Sequence, residues 1–145
     1  MEIYGVFLNM LDLNKSRKVP DDFVEYAEKQ IRHLLNAVSG VEFVMLCTSD
    51  GFEIALVNKK NINNSGKIAA VSSSILAMVT AFVSEINLVG CQTITLDAEN
   101  GKALLTAIPH PTHPLVLVAM TNKDILLGQM LYELKSTTEL LMKNI

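Results

Sequence analysis

Charge of one sign gathers little in this sequence, at most in the short basic stretch Lys15, Arg17 and Lys18. Its 12 lysines and arginines and 15 aspartates and glutamates are interspersed, for a net charge of −3. A nucleic-acid-binding face needs clustered Lys and Arg, so nucleic acid is excluded as a partner. Cysteine is scarce as well. Cys47 and Cys91 are the two in the chain, and each sits inside an apolar, strand-like run. That setting reads as two reduced, buried thiols in a cytoplasmic protein, not as a disulfide framework or a reactive thiol. The first residues, MEIYGVFLNMLDLN, lack a basic n-region and a small-residue cleavage site, and make a poor signal peptide. Uninterrupted apolar runs fall far short of the ~18 residues that span a bilayer, which argues against membrane insertion.

The most telling absence is internal. From Ile68 to Ser84 there is no charged residue, although Lys67 and Glu85 close the stretch at either end. The segment KIAAVSSSILAMVTAFVSEI has large apolar residues at Ile68, Val71, Ile75, Val79 (with Met78), Phe82 and Ile86, which is helical spacing over about five turns. Ala70, Ser73, Ser74, Ala77, Ala81 and Ser84 form a second stripe of small residues. A helix with no charged face is covered on more than one side. The expectation is that the large stripe packs on the chain's own sheet and the small stripe meets another polypeptide.

The 145 residues, 50% hydrophobic and 19% charged, suit one globular domain with a real core. Residues 1–20 read as an N-terminal extension, with Ile3, Phe7, Met10 and Leu11 on one side of a possible helix and a polar, basic connection ending at Pro20. The domain itself spans 21–145. Asp21 or Asp22 is expected to cap a helix whose stripe is Phe23, Tyr26, Ala27, Ile31, Leu34, Leu35 and Val38, closed by Gly40. Phe43–Cys47 is a fully apolar strand, Asp50-Gly51 a hairpin turn and Phe52–Val57 the return strand. After the charge-free helix come a strand over Cys91–Asp97 with one polar side, a turn at residues 98–101, a strand over Lys102–Ile108, the PHPTHP loop and a second apolar strand at Leu115–Met120. A final helix, capped by Asn122 or Asp124, reaches about Met142 with Leu127, Met130, Leu131, Leu134, Thr138 and Leu141 inward. The fold class that follows is α+β: a five-stranded antiparallel sheet ordered helix, hairpin, helix, three strands, helix, with helices on both faces and Cys91–Asp97 near an edge.

Residues able to do chemistry fail to assemble. Ser65-Gly66-Lys67 lacks the glycine a phosphate-binding loop needs at position 61, which is Asn61, and the following Ser or Thr, which is Ile68. His110 and His113 have no third metal ligand nearby, and a catalytic metal needs three. There is no G-x-S-x-G elbow and no Cys–His pairing at a recognisable spacing. No catalytic residue, cofactor site or metal site is expected, which points to binding through surfaces and not to an enzyme.

Several phrases in order resemble the roadblock/dynein light chain family, in the manner of its bacterial MglB-like members. VEFVMLCTSDGFEIALV is similar to the family's first hairpin, KIAAVSSSILAMVTAFVSEI to its central helix, TITLDAENGKALLTAI to its second hairpin, and LVLVAMTNKDILLGQMLYEL to its last strand and final helix with the Leu127-Gly128 pair. The resemblance covers about residues 22–142. It implies a homodimer that pairs central helices and edge strands, so that Ala70, Ser73, Ser74, Ala77, Ala81, Ser84, Thr93 and Thr95 become the candidate dimer or partner interface. It also implies a role as a non-catalytic adaptor that regulates a small Ras-like GTPase or scaffolds a signalling or motility complex. The chain has Arg17 and Arg32 alone, poorly placed for an arginine finger, so any stimulation of a GTPase would act by repositioning the GTPase's own groups. The alternative from a different class is a small-molecule-sensing domain of profilin-like or PAS-like fold, because fold does not fix function.

Overall fold

The structure is a computed structural model and describes residues 19–90 and 93–143. The elements are helix α1 (Asp21–Ala37), strands β1 (Val41–Thr48) and β2 (Glu53–Asn58), helix α2 (Ser65–Glu85), strands β3 (Thr93–Ala98), β4 (Gly101–Ile108) and β5 (Leu115–Asn122), and helix α3 (Leu127–Met142). The five strands form one antiparallel sheet ordered β2-β1-β5-β4-β3. The expected fold class is what the chain adopts. The two fully apolar runs stand side by side near its middle, in register from Phe43 opposite Met120 to Thr48 opposite Leu115. A strand with helices over both faces must be apolar on both, which is why these two lack alternation.

Alternation along the strands divides the core into two layers. On one face Val44, Leu46, Leu104, Ile108, Leu115, Leu117 and Ala119 pack with Phe23, Ala27, Ile31, Leu34 and Leu35 of α1 and Met130, Leu134 and Leu141 of α3. On the other, Phe43, Met45, Cys47, Val116 and Val118 meet Ala69 of α2, with Ile68 and Leu76 partly buried beside them. Two helices carrying large side chains thus cover the first face. Among the described residues, a single helix covers the second.

Several local expectations shift. Pro20, in extended conformation, occupies the N-cap of α1 without a side-chain cap bond. Its carbonyl accepts from the amides of Phe23 (3.0 Å) and Val24 (3.1 Å), so Asp21 and Asp22 fall in the first turn instead, where the macrodipole favours them. The last helix begins after Leu126, because Asn122 caps the preceding turn through the Asp124 amide at 3.1 Å. Its inner face is Met130, Leu134, Thr137 and Leu141; Leu131 is exposed. Phe52 lies in the turn before β2, 57% exposed. The extension through Lys18 and Cys91 lie outside the described residues.

By length and composition α2 could cross a bilayer, contrary to the expectation from uninterrupted runs, which stopped at its serines. It is instead laid across the sheet. Gly51 fixes how closely: its φ is +95°, and an added Cβ would come 3.0 Å from the Ala70 Cα. Beneath α2, the Cys47 thiol is fully buried and lies 3.6 Å from the Val116 carbonyl oxygen. Burial, and secondarily the Glu53 carboxylate, push its pKa up to about 12, since both disfavour the thiolate.

Two outcomes are expected. Gly51→Ala should cost about 1–3 kcal/mol in urea unfolding, from strained φ and a backbone clash, while Gly66→Ala, with nothing within 4 Å, should gain up to about 1 kcal/mol. In a Cys91→Ser variant, Cys47 should resist thiol reagents at pH 8 until the chain is unfolded, because the reactive thiolate is about one part in ten thousand; labelling of the native protein at the rate of a free thiol would contradict this.

Candidate partner-binding interface

Residues along α2 advance by about 100° each, which divides its surface into three parts. The inner part is made of small residues: Ala69 and Ser72 are the buried side chains of this helix. Ile68, Ser73, Ile75, Leu76, Val79 and Val83 are half-buried around them. One flank carries Val71 (49% exposed), Met78 (66%), Phe82 (61%) and Ile86 (47%). The other flank and the crest carry Ala70, Ser74, Ala77, Ala81 and Ser84, all exposed.

This reverses part of the expectation. The large stripe is divided: Ile68 packs against the sheet's core cluster and Ile75 and Val79 are half-buried, but Val71, Met78, Phe82 and Ile86 do not pack on the chain's own sheet. The sheet face below already carries Phe43, Met45, Val116 and Val118, and small helix residues are what that bulky surface accommodates. Val71, Met78, Phe82 and Ile86 are turned aside, toward solvent.

The expected interface set is accordingly split. Ala70, Ser74, Ala77, Ala81 and Ser84 lie together on α2. Ser73 is turned inward, its hydroxyl donating to the Ser49 carbonyl of the β1–β2 turn, so it anchors the helix to its own subunit. Ser74 donates to the Ala70 carbonyl (3.2 Å) and Thr80 to the Leu76 carbonyl (2.8 Å); with hydroxyls turned onto the backbone, this flank stays weakly polar. Thr93 and Thr95 are not beside α2. Thr95 pairs with Leu104 and Thr93 with Thr106, and the two threonine hydroxyls of that second pair meet at 3.2 Å. Leu104 belongs to the layer under α1 and α3, so both threonines look to the opposite side of the sheet. The β3 residues on the α2 side are Ile94 and Leu96.

The exposed apolar groups that sequence reasoning missed are continuous along the chain. After Phe82 and Ile86 come Leu88 (59% exposed) and Val89 (96%) in the connection, then Leu96 (44%) on β3. The connection turns at Asn87 and Gly90, both with positive φ. Among the described residues β3 ends the sheet and leaves one row of backbone amides and carbonyls open to pairing. One margin of the molecule therefore offers large apolar side chains, an open strand edge and no charge between Lys67 and Glu85. Isolated exposed apolar residues are ordinary; a concentration of this kind marks a binding surface.

Elsewhere the chemistry is structural. The His110 Nδ1 accepts bonds from the backbone amides of Thr112 and His113, each at 3.2 Å, so this histidine holds the PHPTHP loop in shape. The two imidazoles are 6.0 Å apart, and no group of three metal-ligating residues occurs among the described residues. A cleft of about 320 Å³ lies at the end of the sheet, lined by Val19, Thr48, Ser49, Asp50 and residues 111–115.

No protein-family model and no curated protein sequence matches the chain. Solved structures do. A structure of MglB with a tetrameric arrangement superposes with a TM-score of 0.78 at 16% identity, covering 88% of this chain and 93% of that one. The gliding protein MglB from Thermus thermophilus also gives 0.78, at 15% identity, with 88% and 94% covered. A roadblock/LC7 domain from Streptomyces avermitilis gives 0.69 at 11% identity, with 77% and 91% covered. At such identities the likeness is one of architecture, and on that ground the chain has the roadblock/MglB-like fold.

Proposed function

We propose that this chain is a non-catalytic homodimeric adaptor of the cytoplasm, joined to its twin through the exposed flank of α2 and the open edge of β3, and that the dimer regulates a small Ras-like GTPase or scaffolds a signalling or motility complex. The observation that carries the reading is the state of α2. It is charge-free for 17 residues, yet among the described residues its fully buried side chains are Ala69 and Ser72 alone. A second copy would cover Val71, Met78, Phe82 and Ile86, while Ala70, Ser74, Ala77 and Ala81 allow a partner backbone to come close. The likeness to a gliding protein and to a protein of tetrameric arrangement supports assembly. The family resemblance in the sequence supports the GTPase. The cleft favours the small-molecule alternative less, since it lies at the sheet's end, near the lower limit of ligand-site volumes, and is flanked by loops.

Light scattering after size exclusion tests the joint. The wild-type chain is expected to run at twice 15.9 kDa, about 32 kDa. Phe82→Glu and Ala77→Glu would each bury an unpaired charge and should weaken association about a hundredfold or more. A wild type that stays monomeric at micromolar concentration would contradict the reading; a dimer indifferent to both changes would mean that α2 is not the joint. A Ras-like GTPase loaded with a non-hydrolysable GTP analogue is expected to co-elute with the dimer, and failure in both nucleotide states would remove the GTPase from the account.

A further inference from the structure

We propose that the second copy lies antiparallel against α2 in one register, locked at both ends by ion pairs between Lys67 of each chain and Glu85 of the other. This rests on the dimer reading above and adds to it an orientation, a register and the residues that choose them.

Lys67 and Glu85 are the two charges of α2, both exposed, and neither takes part in an ion pair among the described residues. They are 18 residues apart, which is about five full turns and 27 Å, so they project from the same side of the helix. Each stands at the wrong end of its own helix: the lysine in the first turn, at the positive pole of the macrodipole, and the glutamate in the last, at the negative pole. In a parallel pair these faults would be doubled, with Lys beside Lys and Glu beside Glu. In an antiparallel pair each Lys67 reaches the carboxylate and the negative pole of the second copy, and each Glu85 reaches the lysine and the positive pole.

Shape leads to the same register independently. Pairing Lys67 with Glu85 across a two-fold axis sets that axis level with Leu76, and residues equidistant from Leu76 then lie level across the joint. Val71 comes level with Ala81 of the second copy, Phe82 with Ala70, Met78 with Ser74 and Ile86 with Gly66. Every large exposed side chain of the flank is thus level with a small one, and no two large exposed residues contend for the same height. A parallel, in-register pair would set Phe82 against Phe82 and Met78 against Met78.

Sedimentation velocity of the full chain at low ionic strength tests this, where exposed ion pairs are least screened. Lys67→Glu and Glu85→Lys should each raise the dimer dissociation constant about tenfold, since two attractive pairs become two repulsive ones. The double variant should recover wild-type association. An equimolar mixture of the two single variants should form the mixed dimer in preference to either homodimer. Ion exchange resolves the three species, because the substitutions shift net charge by two in opposite directions. Single variants that associate like the wild type, with a statistical mixture, would overturn the register and leave the dimer standing. A wild-type chain that is monomeric at every concentration would overturn both.

Discussion

The arrangement turns on how α2 meets the sheet. Phe43, Met45, Val116 and Val118 make that face bulky, and the helix answers with Ala69 and Ser72. The contact is drawn in further at Gly51, where any side chain would strike the Ala70 backbone, and at Ser73, bonded to the Ser49 carbonyl. Small residues on the inner side have a consequence for the rest of the helix. Ile68 and Leu76 pack partly against the sheet, but Val71, Met78, Phe82 and Ile86 find no place in the monomer's own core and are left at the flank. The opposite face of the sheet obeys the other rule, with large side chains of α1 and α3 interdigitating with Leu46, Leu104, Ile108 and Leu117.

This asymmetry gives the molecule a finished side and an unfinished one. The finished side is one layer of aliphatic packing closed by two helices. The unfinished side runs from Val71 through Phe82, Leu88 and Val89 to Leu96, and ends on a strand that among the described residues is paired on one side alone. Buried apolar area is the main term that drives association, and strand edges add directional bonds; both lie on one margin. The groups that could carry chemistry are tied up in structure. The Cys47 thiol sits under the helix with its pKa pushed up to about 12, and His110 braces its own loop. A surface of exposed apolar side chains, with the charge of α2 confined to Lys67 and Glu85 at its ends, is suited to recognising a protein.

Much of this was legible in the residues. Strand pairing followed from two fully apolar runs and two short turns, and the edge position of β3 from the alternation of Ile94 and Leu96 with Thr93 and Thr95. Helix ends were harder, because Pro20 and Leu126 satisfy first-turn amides with carbonyls, which side-chain capping rules do not register. The deeper error concerned α2. Amphipathic reasoning assigns the large stripe to the core, and that holds where a helix meets a surface with room for it. Here the room is taken by the sheet's own side chains, a fact about Phe43 and Met45 that no periodicity within residues 65–85 can reveal. The threonines of β3 enter the expected interface as edge-strand residues; the pairing of Thr95 with Leu104 turns their side chains to the face opposite α2.

Oxidative footprinting of Met78 as a function of protein concentration tests most directly whether the flank of α2 is covered by a second chain. Met78 is 66% exposed in a single subunit and central to the flank. If a twin covers it, its oxidation should slow severalfold as concentration rises through the dissociation constant, while Tyr132 on α3, 72% exposed, keeps a constant rate. A Met78 oxidised at the rate of a free side chain at every concentration would contradict the account.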